Sequence, residues 1–355
     1  MRQRINYGVI SASNMARSHM KAIQDNPNAR LVAVCDLDLA KAKRTADLFG
    51  ADQVYQDYRQ LLDNAAIDAV VICTPDQLHR EMTVAALARG KHVLCEKPMA
   101  LTVADCQAMI EAERAGKARL MIGQICRYTP GFVAAKDLIS RGKIGELFFV
   151  ESEYAHDYSR IVGSPTADHW RRDPLRHPFL GGGCHAVDLL RWIAGNPTEV
   201  TAYANRKMLR DMPTDDCTIA IYKFPDEVIG KVFVSIGCKR NYTMRSVFYG
   251  SKGTIIADNT TPHLTIFKDG FAAADGLFDA AATHTVPVLL PVSLNNHNTS
   301  GEINDFTRCL LEDTAVTTSS VEGASTVEAC LGAVKSAAAG KPVALQYAHL
   351  QGGSL

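Results

Sequence analysis

Lys97 stands in the tripeptide Glu96-Lys97-Pro98, directly after the apolar run from His92 to Cys95. A lysine drawn out of water beside another positive charge has its ammonium form disfavoured and exchanges protons near neutral pH. A plainer reading stands next to it, an exposed loop lysine paired with Glu96. The second chemical signal is GVISASNMARSH, Gly8 to His19, with Asp36 following at the end of another apolar run. In a GxGxxG turn the glycines permit the bend, the close approach of pyrophosphate and the packing of the helix. Here Ser11, Ser13 and Ala16 take those positions, and the hexad alone reads as an ordinary strand-to-helix turn. Asp36 shifts that reading, because it lies about 20 residues on, where an acid binds the adenosine ribose hydroxyls. Such an acid repels a 2'-phosphate, which favours NAD over NADP.

If the turn holds a dinucleotide, the backbone amides of Asn14 and Met15 at the helix N-terminus carry the pyrophosphate, and a serine hydroxyl adds to them. A serine can do this with φ kept negative. A third signal is CTPDQLH, Cys73 to His79, two elements before Glu96 and Lys97. Thr74, Pro75, His79, Glu96 and Lys97 then all fall at the carboxyl ends of strands, the edge on which doubly wound sheets bind ligands.

The elements that position these groups alternate regularly. Strand-like runs at INYGVISA, Ala29–Asp38, DQVY, Ile67–Pro75, Lys91–Pro98 and Ala118–Gln124 are joined by helical stretches such as Asn14–Asn26, Leu39–Leu48 and Tyr58–Asp63. Strands apolar on both faces, separated by helices, predict an α/β fold with a doubly wound parallel sheet, the Rossmann arrangement, over residues 1–123. Beyond it ELFFVESEYAHDY, TEVTAYANRK, DCTIAIYKF, EVIGKVFVSIGC, RSVFYGSKGTIIAD and HLTIFKD read as members of one large open, mostly antiparallel sheet, in an α+β domain over residues 124–355. The last helices, EINDFTRCLLED and STVEACLGAVKSAAAG, are expected to pack back on the first domain.

The 355 residues suit two domains, and 47% of them are apolar. Lys plus Arg and Asp plus Glu both number 38, which removes any bulk electrostatic reason to bind nucleic acid or an anionic membrane. The ten cysteines show no CxxC pair and no spacing suited to zinc, so buried reduced thiols and no metal are expected. The chain starts without a long apolar leader segment, and no apolar run reaches the ~20 residues of a membrane span. A reducing cytoplasm is the expected location.

TPDQLHREMTVAALARGKHVLCEKPMAL, followed by GQICRYTPGF, WRRDP, GCHAVD and SAAAGKPVAL, resembles the Gfo/Idh/MocA oxidoreductases, named for glucose-fructose oxidoreductase and inositol dehydrogenase. The resemblance covers nearly the whole chain and implies a nicotinamide-binding N-terminal domain. It also implies a C-terminal domain with a large open sheet that often mediates oligomers, here a dimer or tetramer, and a small polyol or sugar as substrate. By position, Lys97 matches the family's catalytic lysine and His185 its catalytic histidine. Trp170 and Arg171 match an element near cofactor and substrate, and Asp188 matches a second family acid. The family commonly has aspartate four residues before the histidine, whereas Gly181 stands here. Either Asp168 or Asp173 replaces that acid in space, or Lys97 and His185 act alone. Arg127 and Tyr128 read equally as packing or ligand residues; Arg127, Tyr154, His156, Asp188 and His185 form the expected substrate set with Lys97.

These readings converge on an NAD-dependent dehydrogenase that acts on a secondary alcohol or the matching ketone. The alternative is an NAD-using lyase or glycoside-cleaving enzyme working by transient oxidation, elimination and re-reduction. A dinucleotide sensor without chemistry is disfavoured by the presence of both Lys97 and His185.

Overall fold

The computed structural model describes residues 4–163, 169–268 and 287–350. The chain divides into two compact units: one holds the chain through Ile125, Asn298–Glu328 and the residues from Tyr347 onward, and the other holds Cys126–His297 and Ala329–Gln346.

In the first unit the chain runs β1 (Ile5–Ile10), α1 (Asn14–Asp25), β2 (Ala29–Cys35), α2 (Leu39–Phe49), β3 (Gln53–Tyr55) and α3 (Tyr58–Asp63). It continues through β4 (Ala69–Ile72), α4 (His79–Ala88), β5 (His92–Glu96), α5 (Val103–Arg114) and β6 (Leu120–Gly123). These six strands form one sheet in the order β3-β2-β1-β4-β5-β6, and their pairings are parallel. The expected doubly wound sheet is present. Every residue of β4 and β6 is buried, because helices cover both faces and the strands must be apolar on both. At β1 the order reverses, with β2 on one side and β4 on the other. The loops leaving β1 and β4 therefore diverge, which opens a ligand crevice at their carboxyl ends.

In the second unit α6 (Pro130–Ser140) precedes β7 (Leu147–Ala155), α7 (Pro178–Gly181), α8 (Cys184–Ala194), β8 (Glu199–Asn205), β9 (Cys217–Lys223) and β10 (Ile229–Ser235). Then follow β11 (Thr243–Gly250), β12 (Gly253–Asp258), β13 (His263–Lys268) and β14 (Val288–Pro291). The chain re-enters the first unit with α9 (Thr299–Leu311), passes through α10 (Ser320–Ala339) and closes the large sheet with β15 (Val343–Ala344). That sheet has nine strands in the order β14-β13-β12-β11-β7-β10-β9-β8-β15. Along β9, Thr218, Ala220 and Tyr222 are buried while Ile219, Ile221 and Lys223 are exposed, the alternation of a sheet with one wet face.

Three details go beyond the sequence reading. β7 and β10 pair in parallel, so the sheet is mixed although mostly antiparallel; side-chain alternation is the same for either direction and cannot reveal it. RSVFYGSKGTIIAD is two strands, β11 and β12, closed by a hairpin in which Gly250 faces Gly253. β14 and β15 were not anticipated, being four and two residues long.

All ten cysteines are free thiols, eight of them buried. Among the described residues, no helix is long and apolar enough to cross a membrane.

Candidate active site

The turn after β1 is built by its own backbone and by Asp36. The Ser11 amide donates to the Cys35 carbonyl at 2.7 Å, the Ala12 amide to Asp36 Oδ2 at 2.8 Å and the Ser13 amide to Ser11 Oγ at 3.0 Å. Ser11 does not keep φ negative as expected: its φ is 112°, in the region where a side chain is strained. Ser13 does, with φ at −67°. Ser13 caps α1, accepting the Ala16 amide at 3.4 Å and donating to the Cys73 carbonyl at 3.4 Å. Its hydroxyl is thus committed to the helix end, and Ser11 is the serine left to reach a phosphate.

The Asn14 and Met15 amides, on the first turn of α1, have no acceptor among the described residues. Thr74 Oγ1, after β4, is buried without a hydrogen-bond partner there. Unpaired amides at a helix N-terminus and an orphaned hydroxyl at the crevice are what a pyrophosphate and ribose require, so these residues fit NAD. Burial pushes the Asp36 carboxyl up, but the Ala12 and Asp38 amides and Lys41 together hold it below its ordinary range. Asp36 is therefore ionised beside the turn, with Lys41 Nζ 3.2 Å away.

Lys97 follows β5, half-buried, and its peptide bond to Pro98 is cis. Two neighbours thought to touch cofactor instead fix this loop. His79 is fully buried, and its ring nitrogens lie 2.9 Å from the Pro98 carbonyl and 3.1 Å from the Thr74 carbonyl. Two carbonyl partners leave it no nitrogen for a ligand, and they require both nitrogens to carry hydrogen. Burial works against that charge, but Cys95, Asp76 and the Pro98 carbonyl hold the imidazolium up to about pH 10. His79 thus ties the loop after β4 to the loop carrying Lys97. Glu96 points inward, bonded to His19 at 2.9 Å and to the Lys97 amide at 3.2 Å. His19, Cys73 and Glu96 bring nitrogen, sulfur and oxygen within 4.8 Å, but burial holds the Cys73 thiol well above its ordinary range and keeps it a poor metal ligand.

In the second unit, His185 sits on the first turn of α8, buried against β7. Its ring stacks on Tyr154 at 6.4 Å and lies 6.2 Å from His297. Tyr154 Oη bonds Tyr158 at 2.9 Å and His156 at 3.3 Å, and Tyr242 packs on both Tyr154 and His156. Burial and the Arg171 charge depress His156, while burial raises Tyr154 and Tyr242 well above their ordinary range. The cluster is thus a set of aromatic faces with neutral donors and acceptors, suited to a ligand of C–H faces and hydroxyls. Tyr158, Tyr242 and His297 escaped the sequence reading. Tyr158 had a signal, since 154, 156 and 158 alternate onto one face; Tyr242 and His297 had none.

Asp188 and Arg127, both expected at substrate, are bonded to one another. Arg127 Nε and Nη2 reach the two Asp188 oxygens at 2.7 and 2.8 Å, with Arg191 3.7 Å away, and all three are buried. A bidentate buried pair of this kind is a strut under α8. Trp170 lies under two guanidinium groups, Arg171 at 4.1 Å and Arg176 at 4.6 Å from the ring centre.

Asp173 is engaged in the same turn, its side chain accepting the Leu175 amide at 2.8 Å and its carbonyl the Arg176 amide at 2.9 Å. Asp168 lies outside the described residues. The space beside Gly181 is filled by Arg176: a Cβ there would fall 2.4 Å from Nη1. Arg176 is itself buried. Where the family commonly has a carboxylate, this chain sets a guanidinium.

Residues 5–124 match the family described as "Oxidoreductase family, NAD-binding Rossmann fold", and residues 132–256 match "GFO/IDH/MocA C-terminal domain". The chain is 31% identical to an inositol 2-dehydrogenase of Rhizobium meliloti (strain 1021), over 73% of this chain and 77% of that protein. It is 29% identical to inositol 2-dehydrogenase 2 of Saccharopolyspora erythraea, over 71% and 72%. A solved structure of levoglucosan dehydrogenase in complex with NADH shares the fold, with a TM-score of 0.87 at 23% identity over 97% of this chain and all of that one. With its NAD-binding turn, its lysine loop and both domains matched, the chain belongs to the Gfo/Idh/MocA family of NAD-dependent oxidoreductases and is a dehydrogenase acting on CH-OH groups.

Proposed function

We propose that the enzyme oxidises a secondary alcohol of a sugar, cyclitol or glycoside, or reduces the matching ketone, with Lys97 as principal acid/base and His185 as its partner. The observation that carries this is the anchoring of Lys97, whose loop is held by Glu96 on one side and by the two-carbonyl grip of His79 on the other. NAD, when bound, would supply the hydride acceptor or donor. Asn14, Met15, Ser11 and Thr74 would hold its pyrophosphate and ribose, and Asp36 its adenosine ribose. Lys97 Nζ takes the hydroxyl proton as the alcohol is oxidised and returns it in the reverse direction. His185 would assist as acid or base in exchanging the hydroxyl proton, and Tyr154 and His156 would orient the ligand hydroxyls. Trp170 and Arg171 shape the ligand's surroundings, while Arg127 and Asp188 act as scaffold.

The second reading, transient oxidation followed by elimination, draws on the guanidinium that replaces the carboxylate at Gly181. Purified enzyme with NAD and a panel of polyols and glycosides separates the two. Accumulation of NADH is the expected result, whereas glycoside cleavage without NADH would select the lyase. The exposed outer face bearing Tyr203, Ile219, Ile221 and Ile229 supports a homo-oligomer formed through the large sheet, and the free cysteines suit a cytoplasmic location.

A further inference from the structure

We propose that His19 is a positioning residue for Lys97, acting through Glu96 from behind the sheet; this rests on the reading of Lys97 as the acid/base. His19 lies on α1, Glu96 ends β5, and Glu302 comes from α9, which packs along α1 within the same unit. His19 and Glu302 are fully buried and Glu96 nearly so. His19 Nε2 is 2.9 Å from Glu96 Oε1 and 3.8 Å from Glu302 Oε2. The other Glu96 oxygen accepts the Lys97 amide at 3.2 Å. One carboxylate thus links a helix that begins at the dinucleotide turn to the backbone of the lysine.

The charge states follow from what faces each group. Facing Glu96 are His19 from α1, Cys73 from the end of β4, Lys97 from its own loop and Glu302 from α9. Burial pushes Glu96 up, yet the His19 hydrogen bond and charge, with Lys97's charge and amide, hold it below its ordinary range. Glu302 faces Glu96, Asp305 and Lys97; burial and the two carboxylates push it well above its ordinary range against Lys97. Glu96 is therefore ionised and Glu302 neutral. An ionised carboxylate only accepts, so His19 Nε2 carries the hydrogen between them. Neither Glu302 oxygen has a hydrogen-bond partner among the described residues. A buried acid left so carries a desolvation cost. Removing His19's hydrogen takes away the donor that keeps Glu96 ionised, and the anchor of Lys97 then protonates at higher pH than in the native enzyme.

The test compares His19→Leu, which removes the donor, with His19→Gln, whose amide reaches the same oxygen, and His19→Asn, whose shorter amide does not. NADH affinity and melting temperature establish that each variant is folded, and Lys97→Met is run alongside. In His19→Leu and His19→Asn, kcat/KM is expected to fall about 100-fold, the loss that follows from slight misplacement of a reacting group. The fall is in kcat rather than KM, and the acid limb of the pH profile moves to higher pH. His19→Gln is expected to restore both rate and limb. If folded His19→Asn keeps the native limb, or His19→Gln fails to rescue, the positioning role is overturned. If Lys97→Met retains turnover, the acid/base reading itself falls, an outcome separate from the other two.

Discussion

At Ser11 the chain places a serine at φ 112°, where glycine is at ease, whereas at Gly181 it places glycine where its family commonly has an acid. The first turn tolerates its side chain because the amides proposed to bind phosphate, those of Asn14 and Met15, belong to the main chain, while Asp36 and the Cys35 carbonyl hold the Ala12 and Ser11 amides from outside the turn. The second turn gives up its side chain, and groups from elsewhere in the unit fill the room. The Arg176 guanidinium lies over Gly181, and the Tyr154 ring lies where a Cβ at Gly182 would be, 2.5 Å away. Chemistry carried by main chain survives substitution, while chemistry carried by side chains is rewritten by it. Substrate choice is therefore expected to have diverged in the second unit while cofactor use stayed.

The largest effect expected from breaking this contrast is at the strut under α8. Asp188→Asn leaves Arg127 and Arg191 buried without their carboxylate, and should cost about 3–5 kcal/mol, measured by denaturant unfolding; a loss near that of a surface ion pair would show that the bidentate pair is dispensable. Gly182→Ala forces a methyl against a tyrosine ring that cannot swing away, with an expected cost of about 1–3 kcal/mol. Ser11→Gly acts in the opposite direction. Relief of the positive φ should offset its own loss of unfolded-state restriction and stabilise the enzyme by up to about 1 kcal/mol. NAD affinity should stay near native in that variant, and a large fall would mean that the Ser11 hydroxyl, rather than the amides, holds the phosphate.

A finer effect comes from Glu302. Its carboxyl is pushed well above its ordinary range, first by burial and then by Glu96 and Asp305. For a group raised in the folded state, its stability contribution is complete at low pH and is lost as pH rises toward the folded value. Glu302→Gln carries no such proton, so its melting temperature should gain on the native enzyme between about pH 5 and about pH 8. A constant difference across that range would mean that Glu302 is ionised throughout.

Much of the first unit was legible because its signals are local. Tyr58–Asp63 is a helix with the expected bounds, and Asp36 stands out as an acid ending an apolar strand. The lysine loop was visible as a tripeptide, but its anchors were not. His79 looked like a ligand because sequence shows position and not the carbonyls that occupy both ring nitrogens. Glu302 meets His19 across nearly the whole chain, a separation that no periodicity reports. In the second unit, Arg127 and Asp188 were recognised individually as charged residues near the expected substrate, yet their mutual bond depends on how α8 meets the short helical turn that carries Arg127. The hairpin at Gly250–Gly253 carried its signal in the two glycines flanking Ser251 and Lys252. Arg176 over Gly181 could not be foreseen, because an absent side chain does not say what fills its place.

The central claim is that a backbone-built dinucleotide turn serves a lysine whose proton transfer is indispensable. Lys97→Ala tests both parts at once when turnover and NAD affinity are measured on the same preparation. Turnover should be abolished while NAD binds with near-native affinity; unaltered turnover, or the loss of NAD binding together with turnover, would contradict this role of the turn and the lysine.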